Sequence, residues 1–193
     1  MALETRLPVL SASMARQAHP VWRCLALVAI LCLASAGHRE AALADGLSES
    51  QAKASMLYNF PKFVDWPPAA PSGMVLCVLG SDPFGPALDS LHGKPLKGSF
   101  LSVRRIGAAT EGQTCHVLFV GTSEDRRLAS ILHALHDAPV LTVGDVEGMA
   151  ARGIMIEMVV EQRRLGFKVN LQTARQHGFS ISSQLLKLAQ TVY

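Results

Sequence analysis

The run Met74–Leu79, MVLCVL, constrains the fold more than any other part of the chain. All six residues are apolar, and strand alternation puts Val75, Cys77 and Leu79 on one face and Met74, Leu76 and Val78 on the other. A strand apolar on both faces belongs in the middle of a sheet that is covered on two sides. Gly80 ends the run, Ser81 and Asp82 supply caps, and Pro83 suits a first helical turn. Phe84, Leu88 and Leu91 then recur at helical spacing, so a helix from Phe84 to Leu91 folds back on the sheet. Gly80 and Gly85 fit no GxGxxG or phosphate-loop spacing, and the connection reads as structural rather than nucleotide-binding.

The same alternation of strand and helix continues. Phe100–Ile106, with Arg104 and Arg105 adjacent, reads as an edge strand, and Cys115–Val120 and Val140–Val143 as further apolar strands. A helix beginning near Glu124 carries Leu128, Ile131, Leu132 and Leu135 on its inner face. A helical turn at Glu147–Arg152 leads to Ile154–Val160, which pairs antiparallel with the alternating run Leu165–Leu171 across Glu161–Arg164. Asn170 caps a short helix that Gly178 ends, and a last helix carries Ile181, Leu185, Leu188 and Val192 behind a Ser180 or Ser182 cap. Upstream, Ser48 caps a helix over Glu49–Val64 with Ala52, Met56, Phe60, Phe63 and Val64 as its apolar face. Pro61 lacks an N–H and crowds the preceding turn, which predicts a kink or an early end there. These elements define an α/β fold: a three-layer sandwich with a mostly parallel sheet, a C-terminal antiparallel hairpin and helices.

Residues 1–44 read as an export signal and short linker, leaving a single domain over residues 45–193. Arg6, Arg16 and Arg23 precede the apolar run Cys24–Leu33, and Ala34-Ser35-Ala36 and Ala42-Leu43-Ala44 are both small-residue cleavage sites. The apolar run is shorter than the roughly 20 residues that span a bilayer. The upstream basic region is long, and Met14 is an alternative start. Of 18 Lys and Arg, four lie in this segment, and of 15 Asp and Glu, two, leaving 14 against 13 and a net charge of +1. A charge so near zero gives no sign of a nucleic-acid face.

Cys24 and Cys32 leave with the signal, so the exported chain keeps Cys77 and Cys115. An even pair in an exported protein reads first as a disulfide, with two buried thiols as the alternative. A redox enzyme using the pair is a further alternative. No CxxC is present, and His116 points to the opposite strand face from Cys115, which disfavours zinc. No GxSxG, HExxH, phosphate-loop or calcium-loop signature occurs, so neither a cofactor nor a metal is expected, and the chain does not read as an enzyme.

Asp82 and Asp145 each follow an apolar strand, where open α/β sheets carry functional groups; both also suit caps, the favoured reading. His133 and His136 stand three apart on a helix but lack a third ligand, and solvent exposure explains them better. Arg175 and His177 suit either an anion or an ordinary helix C-terminus. Tyr58, Phe60, Phe63 and Trp66 form an aromatic cluster, either core packing or a docking surface. Phe167 beside Lys168 makes a candidate partner anchor on a strand near the sheet edge, with Phe167 as plain core the equal alternative.

Five blocks in register, LYNFPKFVDWP (57–67), CVLGSDPFG (77–85), CHVLFVGTSE (115–124), VLTVGD (140–145) and FKVNLQTARQHGFSISSQLLKLAQTV (167–192), resemble the YfiR family. The resemblance implies a periplasmic, non-enzymatic regulator, often dimeric, that binds the periplasmic part of an inner-membrane diguanylate cyclase and holds it inactive. It also implies relief of that repression by an outer-membrane lipoprotein, with cyclic di-GMP and biofilm as the output. Two departures stand out: Pro61 replaces a small residue expected in the first block, and no second cysteine pair follows Cys115. The alternative to a cyclase repressor is a periplasmic small-ligand sensor acting on another membrane protein, with a crevice near Gly80–Pro83 or Gly144-Asp145.

Overall fold

The computed structural model describes residues 49–68, 70, 73–162 and 164–193. The expected leader, with its cleavage sites after Ala36 and Ala44, lies outside them. Among the described residues, no helix is long and apolar enough to cross a membrane.

Helix α1 covers residues 49–59 and stops where Pro61 requires. The chain tightens into a 3-10 turn over Phe60–Phe63, closed by the Val64 N–H donating to the Pro61 carbonyl. Its buried face is Ala54, Leu57 and Phe60, whereas Ala52, expected inside, is exposed. Val64 is not helical: β1 (Val64–Asp65) pairs antiparallel with β9 (Ser180–Ile181) as a separate two-stranded sheet.

The main sheet has eight strands. Its centre is β2 (Met74–Leu79), hydrogen-bonded in parallel to β4 (Ser99–Ile106) on one side and β5 (Val117–Val120) on the other. β6 (Leu141–Gly144) and β7 (Ile156–Glu161) extend the parallel array beyond β5. β8 (Arg164–Val169) turns back antiparallel on β7, through Gln162 at φ +49°, and β10 (Thr191–Val192) adds in parallel to β8. At the opposite end, β3 (Pro95–Leu96) forms a short hairpin with β4.

Two cores flank the sheet, as expected from strands apolar on both faces. Leu76, Val78, Val117, Phe119, Leu141 and Val143 pack with Leu57, Phe60, Phe84 and Leu88. Cys77, Leu79, Leu118 and Val120 pack with Leu128, Ile131, Leu135 and Met149. The expected helices are present but shorter. α2 is Pro86–Asp89, though Phe84, Leu88 and Leu91 are all buried as predicted. A 3-10 stretch, Thr122–Arg127, precedes α3 (Leu128–Ala134). α4 (Leu171–Gln176) begins at Asn170, whose side chain accepts from the Thr173 N–H at 2.8 Å, and Gly178 turns the chain at φ +78°.

The last helix departs most from expectation. α5 covers only Ser183–Leu186, capped by Ser182, and Leu188 is 69% exposed. The unpaired side of β8 explains this. Gln190 N–H donates to the Phe167 carbonyl and Tyr193 N–H to that of Val169, so the chain end becomes a strand.

Candidate functional site

Open α/β sheets present function at the carboxyl ends of their strands, above all where neighbouring connections diverge to opposite faces. Here the parallel strands run β4-β2-β5-β6-β7, so that point lies between β2 and β5. It is closed. Ser81 N–H donates to Ser123 Oγ at 3.0 Å, Ser81 Oγ and Thr122 Oγ1 lie 2.9 Å apart, and Ser123 N–H donates to Ser81 Oγ at 3.3 Å. A Cβ on Gly121 would overlap the Ser81 carbonyl oxygen, so the two loops touch backbone to backbone. These bonds close the crevice expected near Gly80–Pro83 on the side of β5, while a cavity of about 330 Å³ lined by Asp82, Pro83, Phe84 and Ser50 opens beside it.

The disulfide ties the same two strands. Cys77 and Cys115 are bonded, with Cα atoms 6.0 Å apart and a sequence separation of 38. Both are fully buried. Closing this segment stabilises by about 4 kcal/mol on the loop-entropy model. Neither sulfur reaches solvent, which leaves no route for thiol exchange with another protein.

Asp82 and Asp145 have different roles. Asp82 Oδ1 accepts from the Phe84 and Gly85 N–H groups at 2.7 and 3.2 Å, while its Oδ2 takes Arg105 Nε at 2.8 Å. Arg105 also holds Asp89, and hydrogen bonding to Asp89 and Asp82 raises its pKa against a smaller opposing effect of burial. Asp145 is not a cap, contrary to expectation. Its Oδ2 pairs with Lys53 Nζ at 2.9 Å, and Lys53 reaches Glu49 at 3.0 Å on the same helix. The Asp145 side chain is 5% exposed, and its Oδ1 is buried without a hydrogen-bond partner. Burial opposes the charge on Lys53, but the hydrogen bonds to Asp145 and Glu49 outweigh it and raise the pKa above the ordinary 10.5.

The sequence reading missed Glu157. It stands inside the apolar strand β7, fully buried, and accepts from the N–H groups of Gly148 at 3.2 Å and Ala150 at 2.8 Å. Lys168, directly opposite on β8, reaches it at 3.4 Å. Burial lowers the Lys168 pKa, but attraction to Glu157, with smaller contributions from Tyr193 and Glu147, makes the net shift upward. A single acid between Ile154-Met155-Ile156 and Met158-Val159-Val160 was the available signal, since a buried carboxylate needs donors or a cation. Glu157 itself is buried out of reach, but Lys168 joins Lys53, Asp145, Glu49, Glu147 and Glu161 in lining a groove of about 340 Å³ at the ends of β6 and β7.

Phe167 does not join this surface. It is 5% exposed and packs edge-on against Phe60, with ring centroids 5.2 Å apart. β10 pairs with β8 at Lys168 and Val169, and Phe167 takes the core position, the equal alternative to a partner anchor. Lys168 alone borders the groove. Elsewhere, His133 and His136 are exposed, and His136 meets His177 with rings 5.8 Å apart. Burial, and then His136, lower the His177 pKa. Among the described residues, no cluster of three or more His, Cys, Asp or Glu is placed to hold a metal.

Residues 50–190 match a family of domains described as YfiR/HmsC-like (DUF4154). Among solved structures, the ABC domain from Streptococcus pneumonia in complex with L-Trp is similar with a TM-score of 0.51 at 11% identity. A conserved domain protein from Vibrio cholerae O1 biovar El Tor is similar with a TM-score of 0.51 at 12% identity. Each alignment covers 75% of this chain and 60% of the other, so the chain spans less than two thirds of the length of those proteins. Likeness at this identity concerns the fold alone.

Proposed function

The chain belongs to the YfiR/HmsC-like family, and from that premise we propose that it is a periplasmic regulator that represses an inner-membrane diguanylate cyclase. In this reading it binds the cyclase's periplasmic region, lowers cyclic di-GMP, and acts as a homodimer that an outer-membrane lipoprotein sequesters. The family match over residues 50–190 carries the proposal. The site chemistry is in keeping with it. Asp82 is committed to a turn and Arg105, Asp145 to Lys53, and Glu157 to two backbone N–H groups and Lys168. Each of these groups bridges elements of the fold, which accounts for its place without a reaction. With Phe167 in the core, Lys168 at the groove is the partner contact that this reading retains.

The test is to delete the gene while a cognate cyclase is expressed, and to measure cyclic di-GMP. The expected result is a rise, with pull-down of the cyclase's periplasmic region by the purified protein. Unchanged cyclic di-GMP overturns the proposal. A second reading, a small-ligand sensor, is favoured by the open groove and the unpartnered Asp145 Oδ1. Native mass spectrometry of protein from the periplasm distinguishes it: a stoichiometric bound metabolite supports the sensor, and a bare mass counts against it.

A further inference from the structure

The fold supplies what the spacing of His133 and His136 lacks: a further imidazole from another helix. α3 packs into one core through Leu128 and Ile131, and α4 into the other through Ala174. The chain just past one helix nevertheless meets the chain just past the other, with the His136 and His177 ring centroids 5.8 Å apart and their planes at 84°. Both backbones are fixed there. His136 N–H donates to the His133 carbonyl at 3.3 Å and His177 N–H to that of Thr173 at 3.2 Å, before Gly178 turns the chain at φ +78°. His136 is exposed and His177 half-buried, so both rings are reached from solvent. They border two hollows, one of about 250 Å³ shared with His133 and Thr173, the other of about 530 Å³ shared with Asp137 and Gln176.

We infer that His136 and His177 together bind a divalent transition-metal ion of the kind that prefers imidazole, such as zinc, with water completing its shell. When each ligating nitrogen lies about 2.0–2.1 Å from a shared tetrahedral ion, the two ring centroids stand about 5 to 6 Å apart. The observed separation lies within that span, so the two backbones already stand at ligating distance. His133 lines the first hollow, but among the described residues no three such groups come together, so the protein supplies two ligands. A closed structural zinc site has four, and two make the bound ion exchangeable. Held this way, the ion joins a helix of one core to a helix of the other, and its binding adds to the stability of the folded chain. The inference takes nothing from the proposed function.

Equilibrium dialysis of the exported, purified, tag-free protein against zinc chloride tests it, with thermal unfolding as the second readout. The expected result is one ion per chain and a raised unfolding midpoint that a chelator reverses. His136→Ala and His177→Ala should each weaken binding about a hundredfold, since a lone imidazole loses the gain from the second, and each should abolish the rise. The exposed His133→Ala should bind zinc like wild type. Where His177→Ala lowers the metal-free midpoint, His177→Gln, closer in volume, repeats the measurement on a folded chain. Wild-type protein that takes up no zinc overturns the inference. Undiminished uptake by the His136 and His177 variants also overturns it, leaving a ring contact only. An equal loss in His133→Ala does so too, since it marks scattered binding to surface histidines. Each failure leaves the family-based reading standing, since cyclic di-GMP is measured separately.

Discussion

The carboxyl ends of β2 and β5 and those of β6 and β7 are built on opposite principles. At β2 and β5, small residues bring two loops into backbone contact, hydroxyls bond one another, and a disulfide ties the strands behind them. At β6 and β7, ion pairs join α1 to β6 and β8 to β7, and charged side chains line an open groove. Both regions end parallel strands of one sheet, so sheet topology does not separate them. The difference lies in the side chains: Gly121 and Ser81 let the two loops touch, whereas Asp145 and Lys53 form a charged pair at the rim of the groove. The groove at β6 and β7 and the cavity beside Asp82 and Pro83 are the open regions near these strand ends.

Breaking the closed end gives the largest expected effect. Cys77→Ser/Cys115→Ser should cost about 4 kcal/mol by the loop-entropy model, read as a lower denaturant midpoint than the oxidised wild type. A thiol assay on unfolded, unreduced wild-type protein should find neither Cys77 nor Cys115 free, and two reactive thiols would contradict the bond.

At the open end, Lys53→Met removes the partner of a carboxylate whose other oxygen is already without one. The expected loss is about 3 kcal/mol, the low end for a broken buried pair because the groove admits water. Adding Asp145→Leu to that variant should restore most of it, and a double variant no more stable than the single would show that the pair is not the cause.

Two glycines sharpen the comparison further. A Cβ at Gly121 meets the Ser81 backbone, whereas one at Gly144 meets the flexible end of Met149. Gly121→Ala should therefore cost about 2–3 kcal/mol and Gly144→Ala under about 1.5, measured by equilibrium unfolding. Equal costs would mean that the closed end yields as readily as the open one.

The smallest effect is on pH. The raised Lys53 pKa means that its contribution to stability is complete below the unfolded value near 10.5 and is lost as pH rises through the higher folded value. Lys53→Met should flatten that part of the alkaline unfolding profile, and a profile identical to wild type would assign the alkaline loss to other groups.

How much of this was legible follows from the range of each interaction. Apolar runs made β2, β5, β6 and β7 readable, because burial on both faces leaves no polar position to confuse the pattern. Asn170 and Ser182 were readable as caps, since a cap bonds within a few residues of itself. Pro61 ended α1 for an equally local reason. Glu157 passed unnoticed because one acid among apolar neighbours has no period, and its donors, Gly148 and Ala150, meet it only through a turn.

By itself, the sequence determined the α/β class, the parallel core, the pairing partners available to Cys77 and the resemblance to a family. Those rest on composition and local geometry, which each segment carries alone. Only the tertiary structure decided that Phe167 lies in the core and that the chain end is a strand rather than a helix. It alone decided that Asp145 anchors α1, 92 residues away in sequence. Each of these depends on which surface another segment happens to occupy. Phe167 is buried because Phe60 lies across it, and Thr191–Val192 extends because β8 had an open edge.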